Sequence, residues 1–389
     1  PLALLKYLPA ALGWQGTLAN ALGIGYFTLQ LVSYLCDVRR GRILPEEKYA
    51  RLLCYASFFL SITQGPFNRY DALMPQLDRP TVWDTDRVWR GVQRSAWGYF
   101  KKLAVADRAA VVVDAVFANP AAFDRTQLLL GGVLFTVQLY ADFSGYTDIV
   151  LGVGEVLGLH LPENFRQPFF ADSVKDIWAR WHISLSQWLR DYIYIPLGGS
   201  RCSKARKDGN LIITFLVSGL WHGADLRYLE WGIACGVISV IAQLSKAPRK
   251  VLWRYNPLYR EPAVQTFLQR CITYLLFSFT MVFFASAIYN AAPGEVFAGI
   301  LQGWQGGFAA GWESVTNLVT SSGIDGRPLP VVLTCGTAIV LAMEHNGNNV
   351  ARWIRKQCFV LRWTVYYAAA VSILFFAAFG QSAFIYQQF

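Results

Sequence analysis

The chain has 389 residues, of which 54% are hydrophobic and only 15% are charged. Soluble domains carry roughly a quarter charged residues, so this composition indicates a membrane protein. The formal net charge of +10 comes largely from short basic loops between apolar stretches. A nucleic-acid-binding domain gathers its basic residues on one soluble face, so we expect no nucleic-acid partner.

Apolar stretches recur along the whole chain without a Gly/Ser-rich or Pro-rich linker, which predicts one polytopic domain over residues 1–389. Short loops rich in Lys and Arg mark the cytoplasmic side of a membrane protein. We therefore expect a multi-pass protein of the cytoplasmic membrane, with cytoplasmic loops at 39–42, 201–207, 246–260 and 352–362. The chain begins at Pro1 without a signal-peptide pattern, so we expect a truncated N-terminus. The seven cysteines form no CxxC pair, so neither a zinc site nor a disulfide framework is predicted.

The first apolar stretch, 17–36, has the roughly 20 residues that a helix needs to cross a bilayer. Residues 52–63 are too few to cross and end in Gln64-Gly-Pro66, which predicts a half-helix or re-entrant segment. The backbone groups freed by such an ending must find partners inside the protein. Residues 71–108 mix aromatic and charged side chains and are expected to form helices at the membrane interface.

Two spans are predicted next, at 109–123 and 127–160, the second being far too long for one crossing. Asp142, Ser144 and Asp148 interrupt its apolar run. Carboxylates at membrane depth are costly unless they are paired or face a wet cavity. We expect these three residues to line a cavity.

Five large side chains between 178 and 192 recur at helical spacing, which predicts one continuous helix with an apolar stripe: Trp178, Trp181, Leu185, Trp188 and Tyr192. His182 and Ser186 lie on the flank of that stripe, one turn apart. An interfacial helix with a structural histidine explains this segment as well as a catalytic site does.

His222 closes an apolar run of eleven residues, Leu211 to Trp221, that follows a basic loop. Eleven helical residues rise about 16 Å, roughly half of the hydrocarbon layer. A helix entering from the cytoplasm would therefore carry His222 to the middle of the membrane. Gly223 and Asp225 follow at once, so we expect the chain to break there into a cavity or tunnel.

The remaining sequence predicts spans at 231–245, 264–288, 330–344 and 364–380, and an external or interfacial excursion at 291–329. In total we expect an all-α polytopic bundle of roughly 9–11 spans or half-spans, with interfacial helices, around a central tunnel. His160 and His345 are assigned to an interface and a loop, with no functional role.

Several segments resemble membrane-bound O-acyltransferases, specifically the bacterial branch that contains alginate O-acetyltransferase and teichoic acid D-alanyltransferase. The motifs that carry the resemblance are Tyr140-Ala-Asp-Phe-Ser-Gly-Tyr-Thr-Asp148, Leu161-Pro-Glu-Asn-Phe165, Trp178-Ala-Arg-Trp-His-Ile-Ser-Leu-Ser186, Arg190-Asp-Tyr-Ile-Tyr-Ile-Pro-Leu-Gly-Gly199 and Gly219-Leu-Trp-His-Gly-Ala224. One position departs from the alginate group, because Ala285 stands where that group tends to carry Arg.

The resemblance implies His222 as the principal catalytic histidine and His182 as its partner across a tunnel. It also implies that residues of the matching motifs bind substrate: Asp142, Ser144, Asp148, Asn164, Trp181, Ser186 and Trp221. The chemistry agrees, because attack of a hydroxyl on a thioester needs a base, and a desolvated imidazole stays neutral and able to accept a proton. A thioester is already activated, so no metal or bound cofactor is expected.

The predicted enzyme moves an acyl group, expected to be acetyl, from a cytoplasmic thioester donor to hydroxyls of an extracytoplasmic polysaccharide or polyol. An extracytoplasmic partner acyltransferase could receive the group first. Acetyl coenzyme A and an acyl carrier protein both remain open as donors, and D-alanyl transfer to teichoic acid is the alternative reaction. A transporter with a proton relay and a membrane scaffold with structural histidines are the rival classes.

Overall fold

The computed structural model describes residues 23–247, 255, 261–302, 308–321, 336–345, 353–354, 356–377 and 384–385. Within these ranges every regular element is helical, in agreement with the predicted all-α class. Some predictions fall on residues outside the described ranges, namely those for 17–22, 303–307, 322–335 and 378–380. The same holds for most of the loop 246–260 and for part of the loop 352–362.

The first half of the chain forms α1 Ile24–Arg39, α2 Tyr49–Ala56, α3 Tyr70–Leu77, α4 Thr85–Phe100, α5 Asp107–Ala118 and α6 Arg125–Val156. A π-helical turn, Lys101–Ala106, joins α4 to α5. The second half forms α7 Val174–Arg180, α8 Ile183–Leu189, α9 Lys204–His222, α10 Leu226–Leu244, α11 Pro262–Ile288, α12 Pro293–Leu301, α13 Phe308–Ser321 and α14 Phe359–Phe376. Residues 336–345 are helical as well.

The described residues cluster into two compact units. The first contains residues 23–95 and 150–283, and the second contains 96–149 and the described part of 284–385. Both predicted histidines belong to the first unit. Asp142, Ser144 and Asp148 belong to the second.

Two adjacent helices of the first unit, α9 and α10, form a tight antiparallel hairpin. Glycines allow this approach: a Cβ atom on Gly219 would lie 2.3 Å from the carbonyl oxygen of Tyr228, and one on Gly232 would lie 2.6 Å from that of Phe215. Ser203 caps the start of α9 and Asp225 caps the start of α10, each accepting a backbone N–H two or three residues later. The hairpin therefore fixes the turn that follows His222.

Among the residues that the structure describes, two helices are long and apolar enough to cross a membrane, α6 with 32 residues and α11 with 27. A shorter apolar stretch covers Phe359–Val371. The predicted span 264–288 is thereby confirmed as one helix. The predicted stretch 127–160 is also a single helix, whose 32 residues rise about 48 Å, more than one hydrocarbon layer.

Other predicted elements differ in extent. The predicted span 109–123 becomes α5, only 12 residues long, because Asn119-Pro120 ends it. The segment 52–63 ends its helix at Ala56, and residues 64–68 are buried without regular structure, as expected for a half-helix that stops inside protein. His345 is helical instead of lying in a loop.

Candidate active site

The backbone at His182 departs from the helix that the sequence predicts over 178–192. Helix α7 ends at Arg180, Trp181 is extended, and α8 begins at Ile183. His182 itself has φ 43° and ψ 55°, in the left-handed region. A residue with a Cβ atom adopts that conformation at a cost of order 1–3 kcal/mol, so the surrounding structure must hold it there. The prediction of one continuous helix is therefore wrong.

Asn164 supplies much of that support. Its backbone carbonyl accepts the N–H of Ile183 at 2.9 Å. Its side-chain Oδ1 accepts the N–H of Ser184 at 3.2 Å and the hydroxyl of Ser184 at 2.6 Å. Asn164 thus caps the first turn of α8 from 18 residues upstream in the chain. The segment 161–165 fixes the place where α8 starts, and with it the position of His182.

A second segment reaches the same point from residues 64–68. The N–H of Phe67 donates to the Oγ of Ser184 at 3.0 Å. The Phe67 ring then stacks on the imidazole of His182, with centroids 5.9 Å apart and an angle of 15° between the planes. His182 is only 3% exposed. Its ring is therefore held between a buried aromatic face and the turn that Asn164 secures.

His222 is the last residue of α9, as the length of the apolar run predicts. Gly223 is extended, and a Cβ atom there would lie 2.4 Å from the ring of Tyr228, so the tight exit requires glycine. The imidazole of His222 is buried among aromatic rings, with centroids 4.7 Å from Trp221 and 5.1 Å from Trp231.

Trp221 connects the two histidines. Its ring meets the His182 imidazole edge-on at 6.2 Å and the His222 imidazole at 4.7 Å. Its Nε1 donates to the carbonyl of Gly25 at 3.2 Å, which ties the indole to α1. Trp221 also belongs to a buried cluster with Tyr26, Leu29, Phe67, Leu185, Trp188, Leu189 and Tyr192. Both imidazoles therefore contact the same buried indole ring.

Two further predicted residues line this neighbourhood. Trp181 is buried and packs edge-on against Phe165 at 5.2 Å and Phe277 at 4.9 Å. Ser186 donates its N–H to the carbonyl of His182 at 3.0 Å and its hydroxyl to the carbonyl of Trp181 at 3.3 Å. The Ser186 contacts close the turn around His182.

The predicted acidic residues lie in the second unit, where lysines neutralise them. Lys102 Nζ is 2.7 Å from Asp142 and 2.8 Å from Asp107, and all three side chains are buried. Lys101 Nζ is 2.6 Å from Asp148 and 2.9 Å from the hydroxyl of Ser144. The second oxygen of Asp142 accepts the N–H of Ile385 at 2.9 Å. These carboxylates are thus paired with cations, which is one way in which a carboxylate can be buried at membrane depth. That any of them also faces a cavity stays a prediction.

Sequence reasoning missed the residues that hold the site together. Ser184 and Phe67 position His182, yet neither is ionisable, and Phe67 lies 115 residues before His182 in the chain. In the second unit, the sequence predicts interfacial helices over 71–108, whereas Lys101 and Lys102 of this stretch are buried in the π-helical turn. Within the described residues, no three His, Cys, Asp or Glu side chains converge in a way that could hold a metal ion.

Comparison with known proteins bears on this arrangement. The family model for the membrane-bound O-acyltransferase family (MBOAT) matches residues 46–286, which include both histidines. The chain is 37% identical over 275 residues to the probable alginate O-acetylase AlgI of Pseudomonas aeruginosa, covering 69% of this chain and 51% of that protein.

Two other relatives carry different acceptors in their names. The peptidoglycan O-acetyltransferase of Helicobacter pylori is 34% identical over 256 residues, covering 59% of this chain and 49% of the relative. The teichoic acid D-alanyltransferase of Bacillus subtilis is 28% identical over 236 residues, covering 57% of this chain and 58% of the relative. The chain spans about half the length of the curated alginate O-acetylase relatives that it matches. The family model covers more than half of this chain, and the chain therefore belongs to the membrane-bound O-acyltransferase family.

Proposed function

We propose that this protein transfers an acyl group from a cytoplasmic thioester to hydroxyls of an extracytoplasmic polysaccharide, or to a partner protein that acylates it. The observation that carries the proposal is the pair of buried imidazoles, His182 and His222, against one indole, Trp221. Acetyl is the proposed group, because the relatives named as O-acetylating proteins share 34–37% identity and the D-alanyltransferase shares 28%. D-alanyl transfer to teichoic acid is the alternative.

His222 acts as the base in this proposal. An acceptor hydroxyl attacks the thioester carbonyl carbon while the imidazole takes its proton, and collapse of the tetrahedral intermediate expels the thiolate, which the imidazolium reprotonates. A base in this role contributes about 10²–10⁴-fold. His182 orients the reacting groups from the other side of Trp221. Trp181, Ser186 and Asn164 surround His182 and complete the proposed substrate site.

A substrate-binding role is less strongly supported for Asp142, Ser144 and Asp148. Their side chains are held by Lys101 and Lys102, so a structural network of paired charges accounts for them as well as substrate binding does. The proposal therefore rests on the first unit.

The proposed architecture is a multi-pass bundle of roughly 9–11 spans or half-spans in the cytoplasmic membrane, with a tunnel that connects the donor and acceptor sides. Helix α9 supports it, because its apolar part ends at His222 instead of crossing fully. The position of His222 at a helix end, with Gly223 and Asp225 directly after it, suits a site reached from an aqueous path.

The donor is proposed to be acetyl coenzyme A or an acetylated carrier protein, both of which carry phosphate. Arg201, Lys204 and Arg206 are exposed around the start of α9. Cations are unfavourable at a helix N-terminus, whose dipole is already positive, so stability does not explain them. The same charges together with the dipole attract anions, which favours this end of α9 as the donor entry.

Charge reversal tests the donor entry. Arg206→Glu with Lys207→Glu should raise the KM for the donor several-fold, and more at low salt than at high salt, because exposed charges are screened over about 8–10 Å. Lys175→Glu, on exposed α7 surface, serves as the matched control. A KM that is unchanged at every ionic strength would mean that the basic residues of 201–207 only set the orientation of the protein in the membrane.

The main test replaces His222 by Ala and follows transfer of labelled acetyl from the thioester to cell-surface glycan by mass spectrometry. His160→Ala is the control, because His160 lies in an exposed loop. We expect His222→Ala to lose at least 99% of the activity with a normal yield of folded protein, given the contribution of about 10² or more from such a base. Activity above about a tenth of the parent would contradict the role of His222 as the base.

A further inference from the structure

The side chain of Asn164 is held in a single orientation. The backbone N–H of Ser184 can only donate, so the Asn164 atom that faces it at 3.2 Å must be the oxygen. The Ser184 hydroxyl donates to the same oxygen at 2.6 Å and accepts the N–H of Phe67. The opposite end of the amide, Nδ2, is therefore fixed as well.

Nδ2 of Asn164 is buried and donates to no acceptor within the described residues. The whole residue is 0% exposed. A buried amide N–H without an acceptor is costly and uncommon, and it calls for an explanation. Here the explanation must lie close to His182, because the Asn164 carbonyl accepts the N–H of the next residue, Ile183.

We infer that the Nδ2–H of Asn164 donates a hydrogen bond to the acyl carbonyl oxygen of the substrate. This inference rests on the proposed function. When the acceptor oxygen bonds to the carbonyl carbon, the C=O electron pair moves onto that oxygen, and its negative charge is stabilised by a donor fixed beforehand. The electron pair on that oxygen re-forms the C=O bond as the C–S bond breaks, and the thiolate leaves with the C–S electron pair and takes the proton from the His222 imidazolium. A preorganised donor to such an oxyanion is worth about 10²–10³ in kcat.

Three variants separate this role from simple positioning of His182. Asn164→Asp keeps an oxygen for both Ser184 bonds but removes the N–H donor, Asn164→Ala removes both, and Ser184→Ala keeps the donor while loosening it. We expect both Asn164 variants to lose about 10²–10³ in kcat, with donor KM within about threefold, and Ser184→Ala to lose less. If Asn164 acts only through Ser184, Asn164→Asp should keep kcat within about tenfold of the parent, and that result would overturn the inference.

A second measurement does not depend on turnover. S-Acetyl-phosphopantetheine with a ¹³C-labelled carbonyl is the probe, because coenzyme A and carrier proteins share this arm. In the inactive His222→Ala background, a hydrogen bond from Asn164 lowers the infrared carbonyl stretch of the bound probe. We expect the band to rise when Asn164→Asp is added, and an unmoved band overturns the inference. If that double variant does not fold, Asn164→Ala in the same background decides in the same way, because it also removes the donor.

The two proposals fail separately. Transfer that survives in the His222→Ala variant removes the proposed function. Loss of transfer in His222→Ala, together with full kcat in Asn164→Asp, removes only the role of the Asn164 amide.

Discussion

Replacing Lys102 by Met tests the buried charge network of the second unit. The ammonium of Lys102 lies 2.7 Å from Asp142 and 2.8 Å from Asp107, and side-chain exposures are 6%, 1% and 4%. Its removal leaves two carboxylates buried without their countercharge. Breaking a buried ion pair from one side costs about 3–5 kcal/mol. Total stabilities are typically about 5–15 kcal/mol, so we expect a large fraction of the stability to be lost.

Thermal unfolding in detergent, followed by tryptophan fluorescence, measures the effect. In a chain of this size 1 kcal/mol corresponds to about 2 °C, so Lys102→Met should lower Tm by on the order of 6–10 °C. Arg90→Met is the matched control: Arg90 pairs with Glu155 at 2.7 Å but is 44% exposed. Exposed pairs are worth about 0–1 kcal/mol. Adding Asp142→Asn to Lys102→Met should recover part of the loss. Equal Tm shifts for Lys102→Met and Arg90→Met would refute the reasoning.

Two further predictions concern a partly buried acid and a helix contact. Hydrogen bonding from Tyr70 holds the pKa of Glu46 at about 2, below its ordinary 4.5. A lowered pKa in the folded state stabilises the protein above pH 4.5, and this stabilisation is lost as pH falls toward 2, so the parent should lose Tm over that range more steeply than Glu46→Gln. Gly219→Ala places a Cβ atom 2.3 Å from the carbonyl oxygen of Tyr228 and should cost about 1–3 kcal/mol of stability. Gly209→Ala, on the same helix with open space around it, should instead stabilise by about 0.5–1 kcal/mol, and equal effects of the two in urea unfolding would contradict the packing argument.

The parts of the fold that depend on local sequence were predictable. Helix α11 follows from the long apolar run 271–288, and the end of α9 at His222 follows from the Gly223-Asp225 sequence directly after it. Such signals lie within a few residues of the feature that they determine. Family membership could likewise be predicted from short motifs, because each motif consists of residues that are neighbours in the chain.

The break at Trp181-His182 was not predictable from periodicity. Neither residue is a helix breaker, and the apolar stripe continues on both sides of the interruption, with Leu185, Trp188 and Tyr192 all buried. What fixes the start of α8 is the hydrogen bonding of Asn164, a contact between residues 19–20 positions apart. A pattern of hydrophobicity carries no information about such a partner, since tertiary contacts override local preference.

The acids and the histidines show why charge at membrane depth does not by itself mark function. Asp142 and Asp148 interrupt an apolar run, which is the usual signal, but lysines some 40 residues earlier satisfy them. A buried network of paired charges needs no substrate to justify it. His182 differs, because its energetic cost lies in the backbone: a non-glycine residue adopts the left-handed conformation, and hydrogen bonds among Asn164, Ser184 and Phe67 fix the turn around it. His182 is a strained residue that three buried groups hold in place, and a second buried histidine contacts the same indole. This combination indicates a reaction site more strongly than the buried acids do, so mutagenesis should begin in the first unit.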